Sequence, residues 1–576
     1  MRCICTNERA HDAGWHFLPC IFQLLQRVYH FEAVNKNNIN QRNNIVDHLG
    51  ETICEMADSS SLSKVISRGE LEKHGTKDST WVAIDNVVYD VTKFLKFHPG
   101  GANLLKQYGG KDATADFFAL HRSEVLERYE RLAIGKLDGA GGDAAVSWSE
   151  LSPVPFAEAD ALGPNPTPSP YYTESHRKFM LAVREFVDRE IRPIACRHDD
   201  SGKVPPKELF QKMGAFGLLA CRLGPGPHLS MLPMDLPGDV NPEEYDYFHE
   251  KIVNEELARL GTPGFIDGIG TGLVIGLPPL AVFGDPEISM RVGTECLSGQ
   301  KIICLAVSEP QAGSDVAALT TTARKSACGN YYIVNGIKKW ITNGAFADYF
   351  VTAVRTGGSG MRGISFLLIE RSEGLSTPKI ETAYGGSAGT AYVIFEDVKV
   401  PAANLIGEEN QGFKIIMLNF NHERWAICVG VIRAARTCIE ECFKWANQRR
   451  VFGKKLIEQP VIRAKLGSMA AMVEAVHSWL EKITYQMNKL PGMQQASIAP
   501  QISLLKYITT RMSLNVSENA VQIMGGRGVT KGGQGQFIER FQRAIKFTAV
   551  YGGSEEIMVD MAVRMATKNF PENARL

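Results

Sequence analysis

NYYIVNGIKKWITNG, residues 330–344, decides the fold. Tyr331 to Val334 and Ile337 to Ile341 are rich in β-branched and aromatic residues, and Asn335-Gly336 between them is a turn dipeptide, so the stretch predicts a β-hairpin. Trp340 and Thr342 are two residues apart and would share one strand face. An indole and a hydroxyl on one face suit a flat heteroaromatic ring with polar edges, although Trp340 could equally be core. Strand-like patterning extends over 301–400 around this stretch. Residues 173–300 and 406–567 change to helical periodicity, with Ile427, Val431, Ala434, Ala435, Cys438, Cys442 and Trp445 along one face of the later section. The order from residue 173 is therefore α, β, α.

The chain has 576 residues, enough for three to four domains at roughly 150 residues each. Lys plus Arg and Asp plus Glu are both 63, so the formal net charge is zero and no basic excess points to a nucleic-acid partner. Hydrophobic residues at 44% and charged residues at 22% fit an ordinary globular protein rather than a disordered or fibrous chain. No uninterrupted apolar window of about 18 residues is visible, so no membrane-spanning helix is expected. The 12 cysteines are scattered, without metal-ligand spacing, and read as reduced thiols of an intracellular protein.

Residues 1–55 differ from the rest, with Cys3 and Cys5, a short apolar stretch from Phe17 to Leu25 and an Asn-rich run. They lack the apolar run of a secretory signal, and Glu8, Asp12 and Glu32 spoil a transit peptide. Met56 opens a string that reads like a natural start, so the preceding segment is expected to be a disordered extension or a misassigned start. A compact block follows over 62–137. Residues 138–171, with prolines at 153, 155, 164, 166, 168 and 170, predict an extended linker. As a partly extended coil its root-mean-square span is about 30 Å.

Within the compact block, WVAIDNVVYDVTKFLKFHPGG (81–101) places a β-rich run ahead of a turn presenting His98, and His121 follows 23 residues later in FFALHRSEVLERY. Two imidazoles can ligate a haem iron axially if apolar walls bury the porphyrin, and Phe94, Leu104, Leu105, Phe117, Phe118, Leu120 and Leu126 are candidates for those walls. On spacing alone these histidines, like His74, could be surface residues. The HPGG loop, the KDAT string from Lys111 and the second His ahead of a helix together resemble cytochrome b5 domains. The resemblance implies haem b with His98 and His121 as iron ligands, no open coordination position, and a role in one-electron transfer.

Five further strings carry a second resemblance: AVSEPQAGSD (306–315), KKWITNG (338–344), QRRVFGKKL (448–456), QIMGGRGV (522–529) and YGGSEEIM (551–558). In this order and spacing they resemble the acyl-CoA dehydrogenase family from residue 172 to the C-terminus. The implied fold class is multidomain: a small α+β cytochrome b5-like module at 62–137, then an α-helical domain (172–300), a β-sheet domain (301–405) and a C-terminal four-helix α domain (406–567), with a tail at 568–576. The resemblance implies FAD held by Val307, Ser308, Gly313, Ser314, Trp340, Ile341 and Thr342 around the isoalloxazine. It places Arg449 and Phe452 at the adenine half, Gln522, Gly525 and Gly526 across a subunit boundary, and Ser554 and Glu556 near the C-terminal helix. It also implies a fatty acyl-CoA substrate touching Ser314, Arg424, Gly552 and Gly553, and a homodimer or homotetramer. Gln459-Pro460 departs from the family pattern on the adenine side.

Removing a proton α to a thioester while a hydride leaves the β carbon requires a desolvated carboxylate. Many members of the family carry it directly after the Tyr of a late YEG string, where this chain has Gly552. Either the flavin domain is inactive or the base comes from elsewhere. The long-chain and isovaleryl branches carry a Glu-Arg pair on the first helix of the C-terminal section, and Glu423-Arg424 in NFNHERWAI stands at that place, which makes Glu423 the expected base. The expected function is an FAD-dependent acyl-CoA dehydrogenase forming 2-enoyl-CoA. Its electrons would pass to the fused haem and an outside redox partner, to an electron-transfer flavoprotein or to oxygen. The alternatives are an oxidase on the same fold and a haem redox or scaffold protein. Gly264, Gly268, Gly270, Gly272 and Gly276 are expected to leave room for an acyl tail. The terminal Ala574-Arg575-Leu576 follows the pattern of S-K-L-type signals and predicts a peroxisomal location, with mitochondria as the alternative.

Overall fold

The computed structural model describes residues 64–122, 124–138, 151–232, 235–490, 492–568, 570–571 and 573–574. The expected extension at 1–55, residues 139–150 of the expected linker, and Arg575-Leu576 of the terminal tripeptide lie outside them. The described residues fall into two compact units, 64–118 with 124–138 and 119–122 with 151–574.

The first unit is built on a sheet of β1 (Val65–Ile66), β2 (Trp81–Ile84), β3 (Val87–Asp90), β4 (Lys111–Asp112) and β5 (Ala133–Leu137), in the order β1-β5-β3-β2-β4. The β2–β3 hairpin turns at Asp85 and Asn86, whose φ values of 50° and 64° match the double left-handed requirement of a two-residue turn. Val82, Ile84, Tyr89, Val91, Ala113 and Ala133 form its core, with Phe94, Phe117, Phe118 and Leu126 packed against them.

In the second unit, helices run from α1 (Glu174–Phe186) to α2 (Pro286–Leu297), strands from β6 (Ile303–Ala306) to β13 (Leu405–Ile406), and helices again from α3 (Gly412–Gln448) onward. Between β6 and β13 lie β7 (Thr322–Lys325), β8 (Tyr331–Ile341), β9 (Tyr349–Arg355), β10 (Ile364–Glu370), β11 (Leu375–Ser376) and β12 (Ala391–Pro401), and the sheet order is β11-β12-β8-β7-β9-β10-β13, with β6 on β9. Alternation along β9 (Tyr349–Arg355) explains its two-sided burial. Tyr349, Val351 and Ala353 join the core shared with the first helices, while Phe350 and Val354 join a second core on the opposite face. The third section consists of α3, α4 (Pro460–Lys489), α5 (Ala499–Met524) and the shorter α6 (Gln536–Thr548) and α7 (Glu555–Thr567). The expected apolar face of α3 is buried at Val431, Ala435, Cys438, Cys442 and Trp445, with Ile427 and Ala434 at its margin.

Three expectations are corrected. Asn335-Gly336 makes no hairpin: β8 runs unbroken from Tyr331 to Ile341. Opposite it, Glu396 and Asp397 form a bulge in β12 (Ala391–Pro401), and Asn335 holds that bulge by donating from Nδ2 to Asp397 Oδ1 at 2.8 Å and accepting from the Asp397 amide at 2.9 Å. Gly336 serves close approach, because a Cβ there would stand 2.6 Å from Thr321 Cα.

Residues 151–171 of the expected linker are no free coil. Ala157 and Leu162 are buried, Glu158 pairs with Arg184 at 2.9 Å, and Arg433 donates to the Ala157 carbonyl at 2.7 Å. A proline-rich composition favours extended backbone, but these apolar and acidic side chains had complementary surface to dock on.

Pro263–Phe283 is 21 residues long with mean hydropathy 1.6, enough by length and composition to cross a membrane, and 61% of its apolar window is buried inside the protein. Its glycines do not leave room for an acyl tail. A Cβ would stand 2.6 Å from Gly385 Cα at Gly264, 2.4 Å from the Ser387 carbonyl at Gly268, 2.4 Å from Asn343 Oδ1 at Gly272 and 3.0 Å from Cys304 backbone at Gly276. The small residues let this apolar segment pack against the β section.

Candidate active site

α3 presents the expected base. Trp425 is fully buried and its indole donates to Thr484 Oγ1 of α4 at 2.9 Å, which fixes the rotation of α3 at the Glu423-Arg424 pair. Buried Arg424 donates from Nε to the Gly552 carbonyl at 3.0 Å, and Lys506 of α5 donates from Nζ to the Gly553 carbonyl at 2.5 Å. Two cations from two helices thus hold the Tyr551–Ser554 turn against α3. The turn needs its glycines, since φ is +66° at Gly552 and +101° at Gly553. A Cβ at Gly552 would stand 2.6 Å from Ile427 Cδ1 and 3.8 Å from Glu423 Oε1. The carboxylate of Glu423 therefore occupies the space that a side chain at residue 552 would enter.

Burial raises the Glu423 carboxyl from its ordinary 4.5 to about 7, against the opposing pull of Arg424, Lys506 and His422. Burial also lowers the Lys506 ammonium to about 8. His422, next in the chain, faces buried Glu250 at 2.8 Å. Burial works against its charge, but the Glu250 carboxylate holds its pKa above the usual value. Asp267, its pKa raised by burial, accepts from Thr271 at 2.8 Å and also acts on Glu423. A carboxyl that is half ionised near neutrality and backed by cations can take up a proton from a weak carbon acid.

At the β section, Lys339 N donates to the Ser308 carbonyl at 2.9 Å, joining the 306–315 loop to β8. Trp340, next to last in the strand, has φ +67° and is 51% exposed. This left-handed residue breaks the alternation, and Thr342 lies in the following turn, so the two-apart argument for a shared face does not hold. Ile341 is buried and Val307 is 7% exposed, while Gly313 and Ser314 are exposed. Arg449, Gln522, Gly525, Gly526 and Glu556 are also exposed, and Phe452 is 94% exposed with φ +50°. Gln522 lines a cavity of about 290 Å³ together with Lys465, Glu518, Asn519, Val521 and Gln542. Ser554 caps α7, accepting from the Ile557 amide.

One residue that the sequence reading missed orders this region. Glu309, 2% exposed, accepts from Lys338 Nζ at 2.8 Å and from the Thr320 and Thr321 amides at 2.6 and 2.9 Å. Despite burial, Lys338 and these donors hold its carboxyl near 2. Its signal was its place beside Ser308 and the odd buried Lys of a strand.

In the first unit, His98 follows the short helix Lys93–Lys96, and its Nδ1 lies 3.3 Å from the Gly101 carbonyl. A Cβ at Gly100 would stand 2.8 Å from His98 Cε1, so glycine gives the imidazole room in this position. His121 follows the helix Thr114–Leu120 directly, in the 119–122 stretch that groups with the second unit. His74 stacks on Trp81 at 3.4 Å and meets Ser79 at 2.6 Å, a structural role. The cluster His176, Asp246 and His249 brings three possible metal ligands within 4.8 Å. Yet His176 Nδ1 accepts from the Thr173 amide at 2.9 Å and His249 Nδ1 from the Asp246 amide at 3.2 Å, so both rings cap helices.

Comparisons with known proteins agree with this architecture. Residues 67–138 match the family described as cytochrome b5-like heme/steroid binding domain, and 173–300, 304–398 and 410–566 match the N-terminal, middle and C-terminal domains of acyl-CoA dehydrogenase. The acyl-CoA dehydrogenase apdG of Emericella nidulans is 40% identical over 428 residues, 73% of this chain and 97% of that protein. The human mitochondrial short-chain specific acyl-CoA dehydrogenase is 33% identical over 67% of this chain and 88% of its own length. An acyl-CoA dehydrogenase from Geobacillus kaustophilus superposes with a TM-score of 0.62 at 30% identity, over 69% of this chain and all of that one. One from Bacillus anthracis, complexed with FAD, gives 0.61 at 26% identity, over 69% of this chain and 68% of its own.

Proposed function

This chain belongs to the acyl-CoA dehydrogenase family, oxidoreductases acting on CH–CH bonds, with a cytochrome b5-like domain ahead of the family's three domains, and from that footing we propose that it oxidises an acyl-CoA to its 2-enoyl-CoA with Glu423 as base. The observation that carries the reading is the convergence of Glu423 on residue 552: one carboxylate, 3.8 Å from that Cβ position, stands where the turn can carry none.

In this reading Glu423 Oε1 takes the proton from the α carbon, and Arg424 and Lys506 keep the glycine turn closed behind it. FAD, when bound, supplies the acceptor for the hydride leaving the β carbon. The donor set fits it: Trp340 offers an exposed ring at a strained strand end, and the 306–315 loop, fixed by Glu309, presents exposed Gly313 and Ser314. Arg449, Phe452, Gln522, Gly525 and Gly526 are left exposed in this single chain, as an adenine half and a second subunit would require.

Haem b would be held by His98 and His121 and would supply one-electron transfer. Its support is the glycine beside the His98 ring and the Nδ1 contact to the Gly101 carbonyl, which orients the imidazole. Anaerobic mixing of the purified protein with acyl-CoA is the test: flavin absorbance bleaches and 2-enoyl-CoA forms. A flavin that stays oxidised with every chain length ends the reading. Haem that stays oxidised on the same timescale assigns the electrons to an electron-transfer flavoprotein or oxygen instead.

A further inference from the structure

Arg424, Lys506, His422 and Asp267 all act electrostatically on Glu423. Arg222, which follows the short helix Leu218–Cys221, is 3% exposed. Its Nη1 donates to the Ile269 carbonyl at 3.3 Å, and its Nε has no partner. A guanidinium has five N–H donors, and leaving the Nε donor unmet in the interior is costly unless something else satisfies it.

The guanidinium packs on Gly270, where a Cβ would stand 2.4 Å from Nη1. Asp267 lies three residues before Gly270 and accepts from Thr271 at 2.8 Å. Glu250, fully buried, meets His422 at 2.8 Å, and His422 adjoins Glu423 in the chain. The Tyr384 and Tyr551 rings lie 6.3 Å apart, and Tyr551 precedes Gly552. Arg222 is within electrostatic reach of both Asp267 and Glu250, yet neither is close enough to form an ion pair with it.

Resting on the dehydrogenase reading above, we propose that the acyl group of the substrate carries a neutral oxygen, a keto or hydroxyl group beyond the β carbon, that accepts a hydrogen bond from Arg222. An unmet buried donor calls for an acceptor. Two carboxylates flank the guanidinium, so a further anion would be repelled, and a neutral oxygen is favoured over a terminal carboxylate. A plain alkyl chain would leave the Nε donor unmet.

The experiment uses the FAD-loaded full chain and CoA thioesters of equal length: a plain chain, one with a keto or hydroxyl oxygen beyond the β carbon, and one ending in a carboxylate. The oxygen-bearing neutral chain should bleach the flavin with a kcat/KM about ten- to a hundredfold above the plain chain, the range expected of a hydrogen bond to a charged donor. The carboxylate chain should do no better than the plain one. Arg222→Met should reduce the preference to about threefold or less, while Arg222→Lys, which keeps a donor, should retain part of it. The same order of affinities should persist for equilibrium binding to Glu423→Gln protein, which reads the contact without turnover. A plain chain equal to the oxygen-bearing one, or a preferred carboxylate, overturns the inference and leaves the dehydrogenase intact. No bleaching with any thioester overturns the dehydrogenase reading, and this inference with it.

Discussion

Replacing Glu423 with Gln keeps the shape of the side chain and removes its basicity. The loss of a positioned general base costs about 10²–10⁴-fold in rate, and here the fall should sit in the rate of flavin bleaching at saturating acyl-CoA, with binding largely retained. In the wild type, kcat/KM should decline about tenfold per pH unit below the carboxyl's value of about 7, and this limb should be missing from the residual activity of the variant. Stability gives an independent reading. Raising the carboxyl from 4.5 to about 7 corresponds to about 3 kcal/mol against its ionised form, at about 1.4 kcal/mol per pH unit. The folded protein keeps this proton where the unfolded chain has lost it, so the group's cost is absent below 4.5, grows as pH rises, and levels off above about 7. Glu423→Gln should therefore gain stability relative to wild type by up to about 3 kcal/mol between about pH 4 and pH 8, less whatever Arg424 and Lys506 lose with their partner. Stopped-flow bleaching and denaturant titrations across pH measure both. Near-normal bleaching in the variant would refute the assignment.

Lys338→Met should destabilise the protein by about 3–5 kcal/mol by leaving the buried Glu309 charge unpaired, read as a lower denaturation midpoint together with weaker FAD retention. Gly552→Glu in the Glu423→Gln background should fail to restore bleaching, because a side chain at φ +66° is strained and meets Ile427 at 2.6 Å; recovery of activity would show that the turn rearranges. His98→Ala should abolish the haem Soret band while leaving the bleaching of the flavin by acyl-CoA unchanged, and a retained band would remove His98 as a ligand.

The α, β, α order was legible because hydrophobic periodicity switches from 3.6 to 2 and back, and burial follows period where a face is shared, as at Val431, Ala435, Cys438 and Cys442. Glu423 was found through its Glu-Arg pairing and the missing carboxylate at 552, two local signals that the structure brings to one place. What local patterning could not carry was purpose. Asn335-Gly336 and Asp85-Asn86 are both turn dipeptides, and only the second turns, because the partner of the first is a bulge about 60 residues away. The glycines of 264–276 looked like open space and proved to be contact points, since closeness to residues such as Ser387 and Asn343 lies outside any local window. Arg222, Glu250 and Asp267 belong to different helices or their ends, so their gathering beside the base had no sequence spacing to reveal it.

The most direct test of the central claim is a single turnover under anaerobic conditions with acyl-CoA deuterated at the α carbon. Flavin bleaching should be slower than with the unlabelled thioester, and one deuteron should be lost for each 2-enoyl-CoA formed. An oxidised flavin, or label retained in full with no enoyl product, would contradict proton removal by Glu423 and the account built on it.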